Sequence, residues 1–151
     1  VTSGGALINA SAGAVQINTN GGCHLDARMI AKRLDEPAIA DAKLLIIENV
    51  GNLVCPAAFD LGEAHKVVVL STTEGEDKPA KYPTLFFKAD LMLITKADLL
   101  PHLPQFSPTQ AETALRQLAN NSPCLTISSF QPDSLSPLID WLRNTRGQQP
   151  C

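Results

Sequence analysis

Residues 66–95 read KVVVLSTTEGEDKPAKYPTLFFKADLMLIT and contain a strand, a helical segment and a second strand in that order. Lys66–Leu70 is dense in β-branched residues, which is typical of a strand. Leu91–Thr95 is the next strand, and the segment between them, Asp77–Lys88, predicts a helix that Pro83 would weaken. Two strands joined through a helix in this way pair in parallel with a right-handed crossover. The stretch therefore predicts an α/β fold.

Strands and helices continue to alternate on both sides of this stretch. Leu44–Ile47 (LLII) is apolar without alternation, as expected for a strand with both sheet faces covered. Ser107–Gln110 reads as a capping box with Pro at the first helical position. The other predicted elements are strands at Ala14–Asn18 and Leu125–Ser128, and helices over Leu25–Leu34 and from Ser136 onward. Together they predict a mostly parallel, doubly wound sheet.

Composition excludes several classes of protein. With 44% hydrophobic and 18% charged residues, the 151-residue chain is predicted to fold as one domain rather than to be disordered. Its net charge of −3, without a basic stripe, argues against a nucleic-acid partner. The apolar runs are far shorter than the ~20 residues of a membrane span. Four scattered cysteines and no leader-like segment predict a cytoplasmic protein rather than a secreted disulfide scaffold.

The carboxyl end of the Leu44–Ile47 strand carries the sequence ENVG, Glu48–Gly51. Ligands of open α/β sheets bind beyond the carboxyl ends of the strands. A carboxylate there can hold Mg²⁺, and a glycine lets backbone N–H groups approach a terminal phosphate. An acidic residue at a strand end is also typical of a cap or a turn.

Two further strand ends carry side chains suited to a purine base. TKAD, Thr95–Asp98, follows one strand, and Ser128 ends the next. The Asp98 carboxylate can accept from both N–H donors on the Watson–Crick edge of guanine, while the stem of Lys96 can cover the ring. Three such features in order along the chain favour a nucleotide site over isolated caps.

A separate set of residues, outside the strand ends described above, points to a metal site. Cys23 and His24 are adjacent, and Cys55 follows 55 − 23 = 32 residues later. Soft sulfur and nitrogen ligands suit Zn²⁺ or Ni²⁺, and a second copy of the chain across a two-fold axis could complete the set. The alternative is that Cys55 packs as a small hydrophobe and His24 caps the next helix. Asp26 could either orient His24 or stabilise that helix.

Three segments contain long, unusual runs of residues that point to one family. They are VQINTNGGCHLDA (Val15–Ala27), IENVGNLVCPAAFDLGEAHKVVVLSTTEGEDKPAKYP (Ile47–Pro83) and LITKADLLPHL (Leu93–Leu103). In these segments the chain resembles the hydrogenase nickel-incorporation GTPases, the HypB family, which are accessory proteins of NiFe hydrogenase maturation. The resemblance covers nearly the whole chain and fades after about Pro104.

The resemblance implies a fold and a nucleotide chemistry. The fold is a P-loop NTPase-type, doubly wound, mostly parallel sheet of the metal-chaperone class with a Glu-x-x-G motif. The implied activity is hydrolysis of GTP to GDP with Mg²⁺. The implied residues are Glu48 and Gly51 for catalysis and Thr95, Lys96, Asp98 and Ser128 for the base.

The resemblance also implies a metal site and partners. Cys23, His24 and Cys55 match the family's Ni²⁺ or Zn²⁺ site at a homodimer interface. The expected function is GTP-dependent delivery of nickel to the hydrogenase large subunit with a maturation chaperone. Residues 1–151 would then be a partial G domain, with the metal residues and the Glu-x-x-G motif in 15–60 and base recognition in 90–146.

The sequence departs from the family at three places. It contains no G-x-x-x-x-G-K-S/T phosphate loop, so we expect that loop, with its strand and helix, to lie upstream of Val1, or the chain to be a degenerate copy. A sheet without that strand would expose a backbone edge and apolar surface. Thr95 stands where the family usually has Asn, and Ser128–Phe130 (SSF) replaces Ser-Ala-Thr. We therefore expect no hydrolysis by these residues alone, and the alternative function is a non-enzymatic metal-binding or dimerisation module.

Overall fold

The computed structural model describes residues 2–3 and 13–145. Backbone contacts divide the chain into two compact units, one up to Glu63 and the other from Ala64 onward.

The first unit contains a short parallel pair of strands and two short helices. β1 (Thr2–Ser3) pairs with β2 (Gln16–Ile17), which confirms a strand within the predicted 14–18 segment. The helices are α1 (Ala27–Ala31) and α2 (Cys55–Ala58). The core of the unit is formed by the buried residues Ile17, Leu25 and Ile30, with Met29, Ile47 and Leu61 packed against them.

Helix α1 begins at a side-chain cap. The Asp26 carboxylate accepts a hydrogen bond from the Met29 N–H at 2.8 Å, so the helix-stabilising alternative for Asp26 is confirmed. The helix is shorter than the predicted 25–34 segment. Leu34 is 46% exposed, so the last predicted turn has no packing to hold it.

The predicted strand at Leu44–Ile47 is not formed, and this prediction was wrong. Leu44 and Ile46 are 56% and 66% exposed, so one side of the segment is uncovered. The structure places a single bridge residue directly after the segment, at Glu48, so the apolar run predicted burial better than it predicted strand pairing. Ile47 nevertheless packs against the core.

The second unit is built on a three-stranded parallel sheet in the order β3-β4-β5. Its strands are β3 (Val67–Ser71), β4 (Leu91–Thr95) and β5 (Cys124–Thr126). The register joins Val67 to Leu91 and Met92 to Cys124. The central strand, β4, has its first four residues buried. The parallel sheet with intervening helices confirms the predicted α/β class.

Strand β3 lies at the edge of the sheet in the described part of the chain. Burial alternates along it, and Val67 and Val69 are 38% and 54% exposed on one face. Apolar surface is therefore exposed on this face of the strand.

The single helix predicted at Asp77–Lys88 is instead two short helices, α3 (Lys78–Lys81) and α4 (Pro83–Phe87). The break falls at Tyr82, whose φ of −126° and ψ of 55° are not helical. A residue before proline is disfavoured in the helical region, so Pro83 separates the two helices.

Four helical segments lie near the two later strands. They are a 3₁₀ helix (Ala97–His102), α5 (Pro108–Gln117), a second 3₁₀ helix (Pro132–Leu135) and α6 (Ser136–Thr145). The Ser107 hydroxyl caps α5 by accepting from the Gln110 N–H at 3.3 Å. The Ser107 N–H donates to the Glu76 carboxylate, so only one half of the predicted capping box is present.

Leu91, Leu93 and Ile127 are buried together in the second unit, with Leu125, Leu135, Leu138 and Trp141 packed against them. No helix in the described part of the chain is long and apolar enough to cross a membrane.

Candidate functional site

Cys23 and Cys55 meet in the first unit. Their sulfur atoms are 2.7 Å apart, although the residues are 32 positions apart in sequence. A tight turn delivers Cys23: Asn20 and Gly21 have φ of 51° and 85°, and the Gly22 N–H donates to the Thr19 carbonyl at 2.9 Å.

The other thiol is delivered by a helix start. Cys55 is the first residue of α2, and the proline that follows is favoured in the first helical turn. Sharing a hydrogen bond with Cys23, together with partial desolvation and the charge of a neighbouring thiolate, raises the pKa of the Cys55 thiol. The Cys55 thiol therefore keeps its proton to a higher pH than an ordinary thiol does.

His24 lies beside this thiol pair. Its Nδ1 atom is 3.5 Å from the Cys23 sulfur. Its ring stacks on Phe59, with centroids 3.7 Å apart and an interplanar angle of 8°. The stacking fixes the plane of the imidazole next to the sulfur atoms.

Cys55 and His24 thus both lie next to Cys23. The sulfur and nitrogen donors of these three predicted ligands suit a soft divalent metal. Within residues 2–3 and 13–145, however, no group of three or more His, Cys, Asp or Glu is arranged to hold a metal ion. Two sulfur atoms in contact and one imidazole to the side make an incomplete ligand set.

The sequence did not identify two asparagines, Asn49 and Asn52, as part of the site. Their side chains form hydrogen bonds between the region of the Glu-x-x-G motif and the segments that carry the predicted metal ligands. Asn52 donates from Nδ2 to the Cys23 carbonyl at 2.5 Å and accepts at Oδ1 from the Cys55 N–H at 2.9 Å. Asn49 accepts at Oδ1 from the Leu25 N–H at 2.9 Å. The only signal in the sequence was the position of these amides on either side of Gly51.

The two predicted catalytic residues are accessible. Glu48 and Gly51 are both exposed. A Cβ atom added at Gly51 would meet nothing within 4 Å, so the fold around this residue does not require a glycine.

The residues that the sequence predicts to recognise the base lie in the second unit. Thr95 is the last residue of β4 and Lys96, which follows, adopts a left-handed conformation with φ of 60° and ψ of 41°. That conformation is uncommon for a residue with a side chain. The Thr72 hydroxyl holds it by donating to the Lys96 carbonyl at 3.0 Å. The sequence did not identify Thr72 either. The pattern that could have pointed to it is the run of polar residues that follows the KVVVL strand.

Asp98 and Ser128 are brought together by a hydrogen bond. The Ser128 hydroxyl donates to Oδ1 of Asp98, and its oxygen accepts from the Phe130 N–H at 3.1 Å. Ser128 is only 1% exposed. The structure thus places Lys96, Asp98 and Ser128 at neighbouring strand ends, as the sequence predicted.

The family model described as "CobW/HypB/UreG, nucleotide-binding domain" matches residues 2–126. The chain belongs to this CobW/HypB/UreG family. Its parallel sheet with intervening helices is therefore that of a P-loop GTPase-type α/β fold.

Within this family, the chain is similar to curated HypB proteins. It is 54% identical over 129 residues to the hydrogenase maturation factor HypB of Rhizobium leguminosarum bv. viciae, covering 85% of this chain and 43% of that protein. It is 49% identical over 133 residues to HypB of Escherichia coli strain K12, covering 88% and 46%. The chain therefore spans less than half the length of these relatives.

Solved HypB structures share the fold. The structure of HypB from Helicobacter pylori in complex with nickel matches with a TM-score of 0.80 and 38% identity, covering 91% of this chain and 67% of that one. HypB from Archaeoglobus fulgidus matches with a TM-score of 0.79 and 37% identity, covering 86% and 63%.

Proposed function

We propose that this chain is part of a nucleotide-gated metal-binding protein of hydrogenase maturation, which binds nickel at Cys23, His24 and Cys55 and delivers it to the hydrogenase large subunit. The observation that carries the proposal is the contact between the Cys23 and Cys55 sulfur atoms, 2.7 Å apart, beside the Glu-x-x-G segment.

Ni²⁺ is the cargo that this ligand set suits, and Zn²⁺ can occupy the same ligands. Thiolates and imidazole bind both metals, in tetragonal or tetrahedral arrangements. One chain supplies two sulfur atoms and one nitrogen, and an isologous contact with a second chain would double each of them. We therefore propose a homodimer with the metal at its interface. The nickel complex of the Helicobacter pylori relative supports the choice of metal.

In this proposal, the bound nucleotide controls the geometry of the metal site. Glu48 would hold Mg²⁺, and the open backbone at Gly51 would approach a terminal phosphate. Asp98, oriented by Ser128, and the stem of Lys96 would take the guanine base. Because Cys55 follows Glu48 by 55 − 48 = 7 residues, a phosphate that reorders Gly51 would also move a metal ligand.

The partners follow from the relatives. Their names place them in hydrogenase maturation, so a maturation chaperone and the hydrogenase large subunit are the proposed partners, in the cytoplasm. A second candidate function is a metal-binding or dimerisation module without hydrolysis. It is favoured by one observation, namely that the contact between the Cys23 and Cys55 sulfur atoms involves residues of the first unit alone.

Equilibrium dialysis against Ni²⁺ and Zn²⁺ tests the metal site that both functions share. We expect Cys23→Ala combined with Cys55→Ala to abolish tight binding near neutral pH, where the metal holds the thiols deprotonated. Cys124→Ala is the matched control, because Cys124 lies in β5 of the second unit. An unchanged metal stoichiometry in the double variant would rule out this site.

A further inference from the structure

We propose that Asn52 is a positioning residue of the metal site: its side-chain amide holds the two cysteine-bearing segments in the register that brings their sulfur atoms together. The inference deepens the proposed function and rests on it for the identity of the ligands.

Both the donor and the acceptor of the Asn52 side-chain amide form hydrogen bonds. Nδ2 donates to the Cys23 carbonyl at 2.5 Å. Oδ1 accepts from the Cys55 N–H at 2.9 Å and from the Val54 N–H at 3.2 Å. One planar group therefore connects the backbones of both cysteines, and asparagine is suited to this because it carries a donor and an acceptor on a single carbon atom.

One of these bonds crosses a large gap in sequence, whereas the bonds from the Val54 and Cys55 N–H groups are local. Asn52 and Cys23 are 29 residues apart, so the bond to the Cys23 carbonyl fixes a long-range arrangement rather than a local turn. Asn49 adds a second link of the same kind to the Leu25 N–H. Asn52 differs from Asn49 because it contacts the backbone of both cysteines directly.

The position of Asn52 also gives it a part in gating. It follows Gly51 directly, and its own N–H donates to the Val50 carbonyl at 2.7 Å. A shift of the Gly51 backbone would carry the amide with it and stretch the bonds to Cys23 and Cys55. The two sulfur atoms would then separate, so Asn52 would connect movement of the Glu-x-x-G segment to the geometry of the metal ligands.

Two variants separate the functions of the amide. Asn52→Ala removes both ends. Asn52→Asp keeps an acceptor for the Cys55 N–H but turns a carboxylate oxygen toward the Cys23 carbonyl. Asn121→Ala is the control for loss of an asparagine amide, since Asn121 is exposed and belongs to the second unit.

The first measurement is metal affinity of the full chain, by competition for Zn²⁺ or Ni²⁺ with a chromophoric chelator. Loss of a group that orients ligands typically weakens metal binding by about 10- to 100-fold. We expect that loss for Asn52→Ala, a smaller loss for Asn52→Asp and none for Asn121→Ala. The bands of the Co²⁺-loaded chain should change shape in Asn52→Ala, because they report ligand geometry.

The second measurement needs no metal. Glutathione disulfide oxidises the Cys23–Cys55 pair in two exchange steps: one thiolate attacks the disulfide and releases a glutathione thiolate, and the second thiolate then displaces the other glutathione. The ratio of bridged to reduced protein, read by peptide mapping, reports how well the two sulfur atoms are held together. We expect Asn52→Ala to lower this ratio about tenfold, as loss of two hydrogen bonds would.

The outcomes are distinguishable. If Asn52→Ala matches the unaltered chain in the glutathione ratio and in metal affinity, the inference is overturned. If metal binding proves independent of the cysteines, the proposed metal function fails, and the glutathione ratio alone decides whether Asn52 positions the two thiols.

Discussion

The hydroxyl group of Ser128 donates a hydrogen bond to Oδ1 of Asp98, which lies 30 residues earlier in the chain. The same oxygen accepts from the Phe130 N–H at 3.1 Å, and the serine is almost completely buried. The loop after β5 is thereby joined to the loop after β4. The Asp98 carboxylate is thereby held in one orientation, which would lower the entropic cost of binding the proposed guanine base.

Ser128→Ala should lower the free energy of unfolding by about 1–2 kcal/mol, because it leaves the Phe130 N–H and the Asp98 carboxylate without this partner. Urea denaturation measures the change. The neighbouring Ser129 is exposed, so Ser129→Ala is the matched control and should be neutral. Equal midpoints for the two variants would show that the bond does not stabilise the loops.

Gly51→Ala should leave stability unchanged or raise it by about 0.4–1 kcal/mol, since an added Cβ meets no atom within 4 Å and the unfolded chain loses freedom. Gly75→Ala should be destabilising, because Gly75 has φ of +104° and the new Cβ would lie 3.1 Å from the Asp77 carboxylate. Thermal unfolding of both variants checks the contrast. A destabilised Gly51→Ala chain would mean that the fold, not ligand approach, requires this glycine.

Cys124 should resist alkylation in the folded chain. Burial, reinforced by Glu112 and partly offset by Arg116, raises the pKa of this thiol to about 11. At pH 8 the thiolate fraction would be about one in a thousand, so reaction with iodoacetamide should be about a hundredfold slower than for an ordinary thiol. Peptide mapping after timed labelling measures the rate. The same cysteine in urea is the control, and equal rates in both conditions would contradict the raised pKa.

These 151 residues should bind GTP weakly or not at all and should not hydrolyse it. Most phosphate affinity in such domains comes from the backbone N–H groups of the phosphate loop, its lysine and Mg²⁺. Without that loop, nothing neutralises the charge that develops on the transferring phosphoryl group. Calorimetry with GTP and Mg²⁺ tests this. Micromolar affinity would show that the site is built differently.

The sequence predicted best the elements whose signals are local. Strand Leu91–Thr95 has the predicted bounds, and the caps at Asp26 and Ser107 depend on side chains a few residues from the backbone groups they satisfy. The strand at Leu44–Ile47 was predicted wrongly, because a run of apolar residues indicates burial but not which residues pair in a sheet.

The candidate site shows the same contrast between local and long-range signals. The motifs picked out Cys23 and Cys55 as metal ligands by residue type, and the structure brings their sulfur atoms together. Asn52 could not be assigned from the sequence, because the bond that joins it to the Cys23 segment is made to a backbone carbonyl 29 residues away, which only the tertiary fold brings within reach. Its local bond to the Cys55 N–H resembles an ordinary helix cap and does not indicate a metal site.

The central claim is that this chain binds its metal through cysteine sulfur. X-ray absorption at the zinc edge of the zinc-loaded chain tests it most directly. We predict at least two sulfur atoms at about 2.3 Å from each zinc ion and a nitrogen at about 2.0–2.1 Å, with the sulfur signal lost in the Cys23→Ala, Cys55→Ala variant. A spectrum of the unaltered chain fitted by nitrogen and oxygen atoms alone would contradict the claim.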